Sequence, residues 1–195
     1  PIGQHRRRLQ QAVRVTFPPR GTKFTIATCG GIAGEWVAAP GTAPAPLTVL
    51  YLHGGGYLSG SPVTHRAITG HLAARCSARV FAADYRLAPE HPFPAALDDA
   101  VTAYRGLLAE GVAPGDLVIA GDSAGGGLAA ATALRLRELA LPLPRALVLF
   151  SPWTDLTLEQ LSSAPGEVML NRPWLQDGVR DYVAHGDARN PLVSP

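Results

Sequence analysis

The sequence predicts an α/β protein with a mostly parallel central sheet and helices on both faces. Three observations carry that expectation. Residues 47–52 (LTVLYL), 117–120 (LVIA) and 146–150 (ALVLF) are nearly unbroken apolar runs; helix-period segments separate them; and glycine-rich turns follow the first two. A strand buried on both faces reads as a continuous apolar run, and parallel neighbours need a crossover between them, usually a helix.

In chain order, residues 23–29 and 35–38 read as short strands, and the Pro/Ala/Gly stretch 39–46 as a turn leading to the central strand 47–52. Residues 65–77 place Ala67, Ile68, Leu72 and Ala73 on one stripe with Arg66 and Arg75 elsewhere, a helical pattern that leads into a strand at 79–83 (RVFAA). Residues 95–110 are again helical, 117–120 form a strand, 124–139 form a long Ala/Leu/Arg helix, and 146–150 form a further strand. Beyond residue 156 the rhythm breaks. Prolines stand at 165, 173, 191 and 195 around one helical piece at 174–185, so 156–185 is expected to be a lid-side segment, and 1–20 a cap or lid piece.

A chain of 195 residues fits one domain, taken as 1–195, and 47% hydrophobic against 16% charged residues excludes a disordered chain. A net charge of +2, with no basic stripe interleaved with aromatics, gives no footprint for nucleic acid. Arg6, Arg7 and Arg8 form the one basic run and read as a solvated terminal helix face. Cys29 and Cys76 are widely separated, which indicates neither a disulfide framework nor a zinc site, and both read as small buried hydrophobes. No apolar stretch reaches the roughly 18 residues of a membrane span. The chain starts at Pro1 and its one methionine is Met169, so further sequence is expected upstream of Pro1; the cytoplasm is the expected location. The expected partner is a small molecule, with no metal and no cofactor.

The chemistry is carried by Gly121-Asp122-Ser123-Ala124-Gly125, which follows an apolar strand and opens a helix. In that context G-x-S-x-G is a nucleophile elbow. The glycines allow a tight strand-to-helix turn that pushes the Ser123 hydroxyl outward, and the turn sets the Ala124 amide at a helix N-terminus, aimed at developing negative charge. His53-Gly54-Gly55-Gly56 leaves the central strand at the same sheet edge. Consecutive glycines let bare amides crowd around one point, as an oxyanion hole requires, and each such donor is worth roughly 3 to 4 kcal/mol of barrier. A phosphate-binding loop is excluded, since neither G-x-x-x-x-G-K-[ST] nor a dinucleotide fingerprint with its acidic partner is present. His53 precedes the glycines and is read, with Gly54, as ordering the loop rather than as a base. In the block from Asp84 to Asp99, Arg86 and Glu90 are expected to hold the loop as an ion pair while prolines stiffen it, and His91 lacks a carboxylate to orient it as a base.

Together with Ser151-Pro152-Trp153-Thr154-Asp155, these motifs closely resemble the hormone-sensitive-lipase-like branch of bacterial carboxylesterases in the α/β-hydrolase fold, over about residues 35–195. The resemblance implies metal-free hydrolysis of short-chain carboxylic esters through an acyl-enzyme on Ser123, with the amides of Gly55, Gly56 and Ala124 as oxyanion donors. In that family the nucleophile is followed by an Asp or Glu and then a His, on loops after later strands. Those strands are expected to be absent from this chain, and none of Asp155, Asp177, Asp181, Asp187 and His185 is assigned to the triad. The expectation is that sequence beyond residue 195 supplies the acid and base, as a second polypeptide carrying the Asp and His, and that this chain alone is nearly inert. A non-catalytic ligand-binding protein on the same scaffold, and an amidase or thioesterase using the same site, are the alternative readings.

Overall fold

The computed structural model describes residues 3, 6, 16–41, 46–161 and 172–195. The first hairpin pairs β1 (Lys23–Cys29) antiparallel with β2 (Ile32–Ala38), turning at Gly30 and Gly31, both of positive φ. β2 starts three residues earlier than the sequence pattern suggests. Its Gly34 lies where a Cβ would overlap Ala82 O and the Phe81 ring, so packing against the neighbouring strand requires a residue that hides the alternation.

The remaining elements are β3 (Leu47–Leu52), α1 (Arg66–Arg75), β4 (Ala78–Ala83), α2 (Ala95–Ala109), β5 (Leu117–Asp122), α3 (Ala124–Glu138), β6 (Ala146–Phe150) and α4 (Arg172–Val183). The sheet order is β1-β2-β4-β3-β5-β6. β4, β3, β5 and β6 are parallel, and β2 joins β4 antiparallel, through Gly34 opposite Ala83 and Val37 opposite Val80. This is the mostly parallel α/β architecture, entered through an antiparallel hairpin.

Period-two alternation divides the core. Leu50, Leu52, Phe81 and Ile119 face one side, where they pack with Leu97, Tyr104 and Leu107 of α2 and Leu128 and Leu136 of α3. Val49, Tyr51, Val80, Ala82, Val118 and Ala120 face the other, with Ala73 of α1. Fully burying each large aliphatic side chain contributes about 1.5–3 kcal/mol, so both layers are needed to hold β3 and β5 at the centre. β6 is different. Among the described residues it pairs only with β5, and Leu147, Val148 and Phe150 are 37–41% exposed. That is an apolar edge of the kind that templates further strand pairing.

The 39–46 turn and the 156–185 segment fall partly outside the described residues, as do most of residues 1–20. The described helix of the lid-side segment is α4, which begins two residues before and ends two residues before the expected helix. No helix among the described residues is long and apolar enough to cross a membrane.

Candidate active site

Three strand ends build the site. β5 ends at Asp122, and Ser123 follows with φ +51° and ψ −122°, a conformation that costs a non-glycine residue about 1–3 kcal/mol. Its backbone is held on both sides. The Ser123 N–H donates to Phe150 O at the end of β6 (2.9 Å), while its carbonyl accepts from the N–H groups of Gly126, Gly127 and Trp153. A Cβ on Gly125 would overlap the Leu52 and His53 carbonyl oxygens, and one on Gly121 the Gly125 carbonyl and Leu52 O. Glycine at both positions is therefore a packing requirement of the turn.

The glycine loop leaves β3 alongside this turn. Gly55 and Gly56 have φ of +122° and +64°, and Tyr57 follows at +62°. Gly55 O accepts from the N–H groups of Leu58 and Ser59 and from the Ser59 hydroxyl, which closes the loop on itself. The amides of Gly55, Gly56 and Ala124 donate to nothing among the described residues.

Asp122 joins the two motifs. Its Oδ1 accepts from the Tyr51 hydroxyl (2.6 Å) and from the Gly54 N–H (2.9 Å), and its Oδ2 lies 3.5 Å from His65 Nε2. Gly54 lacks a Cβ for the same reason, since one would overlap this carboxylate. Burial pushes the Asp122 carboxyl up, but the His65, Tyr51 and Gly54 hydrogen bonds outweigh it and hold the group below its ordinary value. Sequence reading missed Asp122, Tyr51 and His65 as a unit. The one available signal was an acidic residue directly before Ser123.

His53 lies beneath the loop. Its ring stacks on Tyr85 (4.3 Å, 15°), its Nδ1 is 2.9 Å from Gly54 O, and the Tyr85 hydroxyl donates to its carbonyl (2.5 Å). Nε2 is buried without a partner among the described residues. Burial, reinforced by neighbouring His65, pushes the imidazole down to about 3, against the opposing pull of Gly54 O and Asp122. An unfolded histidine protonates near its ordinary value of about 6.5. Between those limits the unfolded chain holds one more proton than the folded one, so the stability present above pH 6.5 is lost as pH falls. Urea midpoints measured from pH 7 to pH 4 are expected to fall with a slope approaching one proton from this group, and His53→Asn should remove that component. An unchanged slope in the variant would assign the acid sensitivity elsewhere.

Several expectations are corrected. Arg86 does not pair with Glu90: it donates to Asp99 through Nε and Nη2, with 2.7 Å from Nη2 to Oδ1, and its N–H also binds Asp99. Glu90 is taken by Arg6, whose guanidinium also donates to Leu58 O (2.7 Å) and Ala88 O (2.9 Å). Arg6 is thus no free solvated residue; Arg7 and Arg8 lie outside the described residues. Both corrections have one cause. An extended loop sets its side chains by what packs beside it, and here Asp99 at the start of α2 and Arg6 lie beside those charges. Cys29 is buried but Cys76, which caps α1, is exposed.

A cleft of about 360 Å³ opens at Ser123, lined by Ser151, Pro152, Trp153, Leu158 and Leu175 among others. Its size and mostly apolar walls suit a small organic ligand. The Ser123 hydroxyl has no hydrogen-bond partner among the described residues, and His185 and His91 are exposed. Asp155 Oδ1 is occupied by the Thr157 amide and hydroxyl. No group of three or more His, Cys, Asp or Glu among the described residues is placed to hold a metal ion.

Residues 49–195 match the family model for the alpha/beta hydrolase fold. An acetyl-hydrolase of Streptomyces hygroscopicus is 44% identical over 191 residues, covering 96% of this chain and 62% of that protein. An esterase of Acinetobacter venetianus is 39% identical over 169 residues, covering 85% of this chain and 55% of that protein. Among solved structures, a hormone-sensitive lipase from a metagenome library superposes with a TM-score of 0.95 at 41% identity, over all of this chain and 66% of that one. The related homologue EstE7, also from a metagenome library, gives 0.94 at 42% identity over 98% of this chain and 67% of that one. The chain thus spans between about half and two thirds of the length of these relatives.

Proposed function

The chain belongs to the α/β-hydrolase fold family, among its hormone-sensitive-lipase-like esterases, and from that premise we propose that it forms the nucleophile and oxyanion part of a carboxylic ester hydrolase. The observation that carries this reading is the Ser123 turn, strained at positive φ and facing a cleft, beside a glycine loop with unpaired amides. The Ser123 oxygen would attack the ester carbonyl as its proton passes to a general base. The resulting oxyanion would be held by the amides of Gly55, Gly56 and Ala124, and collapse would expel the alcohol and leave an acyl-serine for water to cleave. His53 and Gly54 would order the glycine loop. Short acyl groups are the proposed substrates, in keeping with relatives named acetyl-hydrolase and ethyl acetate hydrolase.

The base and its carboxylate are proposed to come from outside these 195 residues. A serine hydroxyl without a base is a weak nucleophile, so the chain alone should hydrolyse p-nitrophenyl acetate at only the residual level, about 10³-fold over water, that binding and an oxyanion hole sustain. In a protein extended to the relatives' full length, a short-chain phosphonate should label Ser123, detectable by mass spectrometry, and Ser123→Ala should abolish the label. Labelling that survives in Ser123→Ala, or no labelling in a protein extended to the relatives' full length, would overturn the proposal. The latter result would favour a ligand-binding protein on this scaffold.

A further inference from the structure

The glycine loop is gripped from two sides. Asp122 and His53 hold its Gly54 end from below; the other end, Gly56-Tyr57, is held by α4. One stripe of that helix, Trp174, Gly178 and Tyr182, spaced four residues apart, lies along the loop. The Trp174 ring is so close to Gly56 that a Cβ there would come within 2.7 Å of it. A Cβ on Gly178 would lie 3.4 Å from Gly56 O and 3.2 Å from the Trp153 ring. Tyr182 stacks flat on Tyr57, with ring centroids 3.7 Å apart and planes 7° apart.

Tyr57 matters because it holds a positive φ with a full side chain, a conformation that persists only where surroundings impose it. The Tyr182 stack is one restraint, and the Tyr57 carbonyl, accepting from the Ala88 N–H (2.9 Å), is another. Tyr182 is fixed in turn: its carbonyl accepts from the Phe93 N–H (2.8 Å), and the Phe93 ring meets it edge-on. Leu175 of the same helix lines the Ser123 cleft. A helix that walls the cleft therefore also braces the glycine loop.

We propose that the Trp174–Gly178–Tyr182 face of α4 is a positioning element for the oxyanion loop, setting the direction of the Gly56 amide through the Tyr57–Tyr182 stack. Its kinetic consequence rests on the ester hydrolase reading above; its structural consequence does not. The residues act through the loop and not on substrate, so their loss should lower turnover more than affinity, because an oxyanion donor acts on the transition state.

The test uses Tyr182→Ala, Tyr182→Phe and Gly178→Ala, with amide hydrogen exchange read by mass spectrometry and ester kinetics read in the protein extended to its relatives' length. Tyr182→Ala should raise exchange in the Gly54–Leu58 segment about tenfold while β5 and α2 exchange as in the wild type. In the kinetic arm kcat should fall about tenfold, with KM within about twofold. Tyr182→Phe, which keeps the stack, should match the wild type in both. Unchanged loop exchange in Tyr182→Ala overturns the proposal. So does exchange raised equally across the sheet, which marks an ordinary core residue, or a raised KM at constant kcat. If Tyr182→Ala does not fold, Gly178→Ala, whose methyl reaches toward Gly56 O, must alter loop exchange, and no change there overturns the proposal equally. A wild-type protein without ester hydrolysis would refute the hydrolase reading, and the exchange result alone would then decide this one.

Discussion

Asp122→Ala is expected to lower stability by about 3–4 kcal/mol, because it strands two buried donors at once. The Tyr51 hydroxyl and the Gly54 N–H both lose their acceptor, and each unsatisfied buried group costs about 1–3 kcal/mol. Asp122→Asn keeps an oxygen for both donors and gives up only the charge opposite His65, so it should cost about 1 kcal/mol. Urea titrations of the two variants at pH 7 measure this. A loss below 1 kcal/mol in the alanine variant would mean that another group takes over the Gly54 amide. The linkage also has a sign. The Asp122 carboxyl is held below its ordinary value, so its contribution is complete above about pH 4 and is lost as pH falls further. That loss follows the one from His53, which begins nearer pH 6.5.

Gly125→Ala should be more damaging still, by about 4 kcal/mol or more, and should yield little folded protein. The added methyl would meet backbone, the carbonyl oxygens of Leu52 and His53 at the end of β3, and not the end of a flexible side chain. Relief requires α3 to move off β3, which breaks the contact that sets Ser123 beside the glycine loop. Gly115→Ala is the control: nothing lies within 4 Å of a Cβ there, and its midpoint should stay within about 0.5 kcal/mol of wild type. Circular dichroism and urea midpoints of the pair report the difference, and equal stabilities would show that the turn can relax.

Much of the fold was legible because its signals are local. A strand buried on both faces has to be an apolar run, so residues 47–52 and 117–120 announced themselves; 146–150 is the same kind of run, though its side chains are largely exposed among the described residues, and the segments between the strands read as helices. Gly121-Asp122-Ser123-Ala124-Gly125 was legible for a similar reason: a turn that tight at the end of β5 admits few residues, and its carriers are contiguous. β2 was only half visible, because the residue that fits Gly34 against Ala82 and Phe81 is one that breaks the pattern.

What the sequence by itself determined was the run of elements, the Ser123 turn and the glycine loop. The tertiary structure alone decided the partners: Asp99 for Arg86, Arg6 for Glu90, and His65 and Tyr51 for Asp122. It also set α4 against Gly56 and Tyr57. Those pairs lie 13 to 84 residues apart along the chain where the hydrogen bonds join them. A charge or an aromatic ring has no periodicity that names its partner; which of several it meets follows from the order in which strands and helices pack.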